Sequence, residues 1–325
     1  MAKVLIIDNN YSDDAVERRV LQPLDAELVD ARIRGTRLPD EWLQRLPKFD
    51  AVISGKTIFA SRELSQLNRC RVLVRRGVGF DTIDIPAATA LRLPVANVPD
   101  YGTDEVATHA MALLLLAARR LDVYMAGVRE GDWSSHRPGD LHRLVGQTLG
   151  IVGYGRIGRA VARRAGGFGL RVVACDPYAP DDGSVPFLTL PELLAVADYI
   201  TLHTPLSAET RRMIDAAAFA TMKRGAVLVN TARGPLVDPD ALLQALRSGQ
   251  LAAAACDVHD IEPLATDHPL LGEPNFLPTP HSAYYTVESA IDMRRLAAEE
   301  VARALRGERP RSWVNPEAGT SRLAP

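Results

Sequence analysis

The chain has 325 residues, enough for two domains with cores of their own, and 47% of them are apolar and 24% charged, an ordinary globular mixture. A formal net charge of −2 excludes a dedicated nucleic-acid binder, and the longest apolar run, "AMALLLLAA", has nine residues, well short of a membrane span. Cys70, Cys175 and Cys256 form no CxxC pair and no zinc spacing, so no metal is expected and a cytoplasmic, reducing location is.

In chain order, "MAKVLIIDNN" reaches Asp8 after four strongly apolar residues, too few for a signal peptide, and Val4–Ile7 reads as a buried strand. Asp25–Ile33 and Phe49–Gly55 read as further short strands, and Thr82–Leu93 as a helix between two more. Pro94–Gly102 breaks the pattern with two prolines, an asparagine and a glycine. Thr103–Leu121 reads as a long helix, with Thr103 as N-cap and Arg119 and Arg120 near the C-terminal end, where the helix dipole favours them. Gly131–Leu144 is loop-like. Strand and helix alternation then resumes through "TLGIVGYGRIGRAVARR", "LRVVACDPY", "VADYITLHTPL", "AVLVNTARG", "LAAAACDVH" and "NFLPTPHS". After Thr286 an amphipathic helix runs to Gly307, with Pro310 beyond, and the last dozen residues are expected to fray. The alternation predicts two α/β domains built on parallel sheets. The closing helix suggests that the first domain is discontinuous: residues 1–99 with 286–325, around a second domain at 100–285.

Gly153, Gly155 and Gly158 keep the GxGxxG spacing, with Tyr154, Arg156 and Ile157 between them. An apolar strand enters this loop and a helix leaves it, so its backbone N–H groups and the helix N-terminus face a pyrophosphate. A second strand ends at Asp176, about 20 residues on, where an acid accepts ribose hydroxyls and repels a 2′-phosphate. The expected cofactor is NAD rather than NADP.

Of seven histidines, His136 and His142 fall in the polar loop, His109 packs within its helix, and His259 and His268 have no evident partner. His203 ends a strand, where it lines the cofactor cleft or serves the core. His281 follows Pro280 at the C-terminal edge of a strand, the edge at which open α/β sheets place ligands. Arg233, Asp257 and Glu262 follow other strands to the same edge. An arginine fork grips a carboxylate and polarises a keto oxygen, a histidine exchanges the alcohol proton, and a carboxylate orients that histidine. The plain alternative is an ion-pair cluster at a domain edge.

"VGYGRIG", "NTARGPLVD", "CDVHDIEP" and "TPHSAYY", in this order and spacing, resemble the D-isomer-specific 2-hydroxyacid dehydrogenase family, as do "VRRGVGFDTIDIPAATA" and "VANVPDYGTDEVATHAMALLLL". The resemblance covers nearly the whole chain. "PHSAYYTVESAIDMRRLAAEEV" and the short gap from Glu262 to His281 point to the C-terminal-binding-protein-like branch, although Tyr284 stands where those proteins carry a tryptophan and Val78 replaces a serine. The family implies two Rossmann-like domains, NAD-dependent interconversion of a 2-keto acid and a D-2-hydroxy acid, and a homodimer in contact near Asp104–Leu121. By resemblance Arg233 would bind the keto acid, His281 would be the general acid/base and Glu262 its partner. Asp257 would hold the nicotinamide carboxamide, and Thr204, Pro205, Thr210, Thr231 and Ala232 would line the cofactor. Val78 and Gly79 would offer N–H groups to the substrate carboxylate, with Arg75 close by and Tyr284 in the pocket. Two further readings are an NAD-sensing, corepressor-like binding protein and a phosphite-type dehydrogenase. The motifs leave the particular acid open.

Overall fold

The computed structural model describes residues 1–9, 11–33, 35–180 and 183–323, and it divides into two compact units, Met1–Gly102 with Thr286–Pro325, and Thr103–Tyr285.

The first unit carries a parallel sheet of β1 (Lys3–Ile6), β2 (Glu27–Asp30), β3 (Ala51–Ser54), β4 (Val72–Arg75) and β5 (Val95–Ala96), in the order β2-β1-β3-β4-β5. Its central strands are apolar on both faces because both are covered. Leu5, Val52, Leu73 and Val95 pack on one side with Phe59, Leu64 and Leu67. Val4, Ile6, Ala51, Ile53 and Val74 pack on the other against Ala297, Ala298 and Val301 of the helix Val287–Leu305. The strand order reverses between β1 and β3, the place where such sheets leave a crevice. Asp8, with a left-handed φ of 54°, lays its carboxylate there against three successive N–H groups, those of Gly55 (2.7 Å), Lys56 (2.8 Å) and Thr57 (2.8 Å), and takes the Thr57 hydroxyl as well (2.8 Å).

The closing segment corrects one expectation: as far as residue 323 it docks rather than frays. Asn315 is 1% exposed, accepts the Val95 N–H at 2.7 Å and donates to the Leu93 carbonyl at 3.0 Å. Arg322 donates to the carbonyls of Leu67, Cys70 and Leu91, and Leu323 enters the core. A tail that docks by satisfying backbone groups looks polar in sequence.

The second unit carries β6 (Thr148–Val152), β7 (Arg171–Cys175), β8 (Tyr199–Leu202), β9 (Ala226–Asn230), β10 (Leu251–Cys256) and β11 (Phe276–Pro278), all parallel, in the order β11-β10-β9-β8-β6-β7. Leu149, Ile151, Val227, Val229, Ala253 and Ala255 face Ala107, Ala110, Met111 and Leu114 of the helix Thr103–Arg119. Val152, Ile200, Leu202, Leu228, Ala254 and Cys256 face Leu193, Phe219 and Leu246 on the other side. Thr103 is the first helical residue rather than the cap. The helix stops at Arg119 because Arg120 is left-handed (φ 44°), and a separate helix, Leu121–Arg129, follows it, one that the sequence reading missed.

Candidate active site

The order of the second sheet reverses between β6 and β8, and the glycine loop leaves β6 at that point. Gly153 has φ 95°, and a Cβ there would lie 2.6 Å from the His203 carbonyl carbon and from the Thr204 nitrogen, so glycine alone lets the two strand ends close together. A Cβ on Gly158 would collide with the Gly153 carbonyl. A Cβ on Gly155 would meet nothing within 4 Å, so the loop keeps an open side at the N-terminus of the helix Arg156–Gly167, which suits a pyrophosphate. Ile157 is half-buried against the core face that includes Ala160 and Val161.

Asp176, at the end of β7, accepts the N–H groups of Tyr154 (2.8 Å), Tyr178 (2.9 Å) and Ala179 (3.1 Å). A carboxylate offers about four acceptor sites, so three bonds go to holding the glycine loop and the following turn, and room for a hydroxyl remains. Tyr154 contributes its backbone; its ring is 3% exposed, edge-on to Phe187 at 5.5 Å and under the Arg159 guanidinium at 4.7 Å.

Beyond β8, His203 Nε2 lies 2.9 Å from the Thr201 hydroxyl, while its Nδ1 is buried with no hydrogen-bond partner among the described residues, and burial depresses its pKa to about 3. Thr204 and Pro205 follow directly. The Thr210 hydroxyl closes its own turn, donating to the Pro205 carbonyl at 2.8 Å and accepting the Ser207 N–H at 2.7 Å. Beyond β9 the Thr231 hydroxyl is buried with no partner among the described residues. These orphaned polar atoms and the open side of Gly155 fit a dinucleotide.

Arg233 is aimed by its neighbours. Asn230, 1% exposed, accepts the Ala232 N–H at 3.0 Å and donates to the Arg233 carbonyl at 2.9 Å, and Arg233 Nη1 donates to the Ala232 carbonyl at 2.7 Å. At Gly234 the backbone runs so close to His259 that a Cβ would overlap its carbonyl, which ties the loop of Arg233 to the loop of Glu262.

His281 has a left-handed φ of 53°, and its Nδ1 lies 2.7 Å from Glu262 Oε2. Glu262 Oε1 accepts the His259 N–H at 3.1 Å. The ionised carboxylate only accepts, so a neutral His281 carries its proton on Nδ1 and presents Nε2 outward as a base; protonated, it presents Nε2–H as an acid.

Asp257 holds the loop of His281. It is 1% exposed and accepts the Thr279 hydroxyl (2.6 Å) and the Ser282 (2.9 Å) and Ala283 (2.8 Å) N–H groups. Its own carbonyl accepts the His281 N–H at 2.7 Å. Tyr284 follows, edge-on to Tyr285 at 6.5 Å. In the first unit, Arg75 ends β4 and donates to the Arg76 carbonyl at 2.5 Å, and in the following loop with Gly79 the Val78 carbonyl accepts the Asn97 amide at 2.7 Å.

Sequence reasoning missed Asn230 and three histidine contacts. His259 reaches the Thr279 carbonyl at 3.2 Å, His268 caps the turn Pro269–Gly272 by accepting the Leu270 N–H at 3.2 Å, and His109 meets the Thr279 hydroxyl at 3.2 Å. Only the place of Asn230, three residues before Arg233, offered a signal. Burial pushes the Cys70 and Cys256 thiols up to about 12, so neither is a nucleophile. No cluster of metal-ligating residues occurs among the described residues.

Residues 111–283 match the model of the D-isomer specific 2-hydroxyacid dehydrogenase NAD binding domain. A D-3-phosphoglycerate dehydrogenase of Methanocaldococcus jannaschii is 35% identical over 321 residues, which cover 97% of this chain and 60% of that protein; the chain thus spans about three fifths of that relative. A glyoxylate reductase of Korarchaeum cryptofilum is 39% identical over 283 residues, 85% of each. The crystal structure of the TT0316 protein from Thermus thermophilus superposes with a TM-score of 0.86 at 37% identity, covering 96% of this chain and 99% of that one. The C-terminal-binding-protein-like placement draws no support from these relatives.

Proposed function

The chain belongs to the D-isomer-specific 2-hydroxyacid dehydrogenase family, and from that premise we propose that it interconverts a 2-keto acid and a D-2-hydroxy acid with NAD as cofactor. The second unit is read as the cofactor domain and the first as the substrate domain.

The observation that carries the reading is the pair of His281 Nδ1 and Glu262 Oε2 at 2.7 Å, on the same sheet edge as Arg233 and the glycine loop. Bound nicotinamide supplies or accepts the hydride. Arg233 offers a planar two-point fork to the carboxylate and keto oxygen of the substrate, which draws electron density from the keto carbon. In reduction His281 delivers the Nε2 proton to the oxygen that becomes the alcohol; in oxidation it takes that proton back. Glu262 stabilises the imidazolium that oxidation forms and holds the ring in place. Asp176 favours a free ribose 2′-hydroxyl over a phosphate, which supports NAD over NADP.

The test is NADH-dependent turnover across a panel of 2-keto acids, glyoxylate and phosphohydroxypyruvate among them. At least one is turned over by the wild type. His281→Ala loses on the order of 10²–10⁴-fold in kcat and keeps NADH binding, whereas Arg233→Lys also raises the KM for the keto acid. NADH binding without turnover of any 2-keto acid sinks the reading and favours an NAD-sensing binding protein.

A homodimer and a cytoplasmic location belong to the same proposal. Leu121, Met125 and Val128 stand exposed on one face of the helix Leu121–Arg129, with Trp133 84% exposed just beyond, which suits a second copy of this chain. The three cysteines are unpaired, as a reducing compartment keeps them. No helix among the described residues is long and apolar enough to cross a membrane.

A further inference from the structure

The loop of His281 is held from behind by a residue on a different element. Thr279 directly follows β11, two residues before His281. Its hydroxyl has one hydrogen, and the 2.6 Å contact with Asp257 Oδ1 takes it, because an ionised carboxylate only accepts. The 3.2 Å contact between Thr279 Oγ1 and His109 Nε2 therefore has the imidazole as donor, which fixes a proton on Nε2 of His109. The same Nε2 lies 3.6 Å from Asp257 Oδ1. Asp257 in turn holds the Ser282 and Ala283 N–H groups, and its carbonyl holds the N–H of His281. His109 stands on the helix Thr103–Arg119, whose opposite contacts are the packed faces of β6, β9 and β10. The imidazole thus links a rigid helix to a loop whose key residue is held at a left-handed φ of 53°.

We propose that His109 is a positioning residue for His281, acting as an N–H donor through Thr279 and Asp257. The proposal rests on the reading of His281 as the proton carrier. Without the donor, the Thr279 oxygen keeps its bond to Asp257 but loses its tie to the helix, and so does the carboxylate that holds the Ser282 and Ala283 N–H groups. The loop then shifts more easily against the helix, so His281 Nε2 spends less time facing the substrate oxygen. Displacement of a reacting group by as little as 1 Å costs up to about 100-fold in rate, and a loosened loop costs less.

His109→Leu removes the donor and keeps an apolar filling of the helix face. It lowers kcat for 2-keto acid reduction about tenfold and leaves the dissociation constant of NADH within about twofold. His109→Gln carries an amide N–H in nearly the same place and recovers most of the loss. Thr279→Val costs a similar factor, and the double variant His109→Leu with Thr279→Val is no slower than the slower single variant, because both break one chain of contacts. A second readout needs neither substrate nor cofactor: the ring nitrogen signals of His281 in the unliganded protein. In the wild type they report one tautomer, with the proton on Nδ1 facing Glu262; in His109→Leu they move toward the average of two, and in His109→Gln they do not. A His109→Leu protein with wild-type kcat and unchanged His281 signals overturns the proposal. Gln performing no better than Leu removes the donor role, and multiplying losses in the double variant remove the route through Thr279. If the wild type reduces no 2-keto acid, the function proposed above fails by itself and the tautomer readout alone decides: unchanged His281 signals in His109→Leu then overturn the positioning role.

Discussion

In the proposed reading cofactor choice turns on Asp176, whose carboxylate would have two duties. It would set a negative charge against a 2′-phosphate, and it ties the Tyr154, Tyr178 and Ala179 N–H groups together. Asp176→Ala therefore weakens NADH binding by more than a lost ribose contact: bonds to a charged group are worth about 1.5–3 kcal/mol, so roughly a 10–100-fold rise in the dissociation constant follows. The preference over NADPH narrows through the loss of NADH affinity. Fluorescence titration with both nucleotides checks this, and equal use of both by the unmodified protein would remove Asp176 from the role. His203 makes a separate prediction about pH. Its pKa falls from 6.5 to about 3 on burial, so between those values the unfolded chain binds a proton that the folded chain does not. Stability attributable to this group is complete above pH 6.5 and declines as pH falls toward 3, with a slope approaching about 1.4 kcal/mol per pH unit. His203→Gln removes that proton, so its thermal midpoint drops less steeply between pH 6.5 and 4; parallel curves would contradict the buried neutral imidazole. Arg233, Glu262 and His281 were legible because spacing and residue type both marked them. Asn230 and His109 were not, since a buried asparagine and a helical histidine read as packing until their partners are known.

Among elements, the central strands were the most legible, because apolar runs of four to six residues covered on both faces leave a continuous signal. The helix Leu121–Arg129 escaped notice because nothing in sequence marks Arg120 as left-handed, so the chain reads as one helix running into a loop. That second helix presents Leu121, Met125 and Val128 at 44, 50 and 48% exposure, spaced by four and three residues on one face. The proposed homodimer predicts that sedimentation of the wild type at micromolar concentration will show a dimer, and that Met125→Asp, which costs the helix little by itself, will weaken association tenfold or more because a charge enters an apolar contact. A monomeric wild type would leave that face without its proposed occupant. The closing segment escaped for the opposite reason. Its anchors are Asn315 and Arg322, and polar side chains that satisfy backbone carbonyls carry no hydrophobic signature.

At the scale of the molecule, the alternation of strands and helices shows that both units are parallel α/β, but strand order is absent from any local pattern; it depends on which way each crossover turns. The two sheets share a reversal point and differ in what fills it. In the second unit glycine opens the crevice between β6 and β8. In the first, the carboxylate of Asp8 already occupies the three N–H groups at the β1–β3 reversal. A group tethered to the same chain competes at an effective concentration that no dissolved phosphate approaches. Each sheet therefore has a reversal point of the kind at which ligands sit, and in the first the chain itself supplies the tenant. The binding stoichiometry should record this: calorimetric titration with NADH saturates at one equivalent per chain. Two equivalents would mean that the tenant can be evicted.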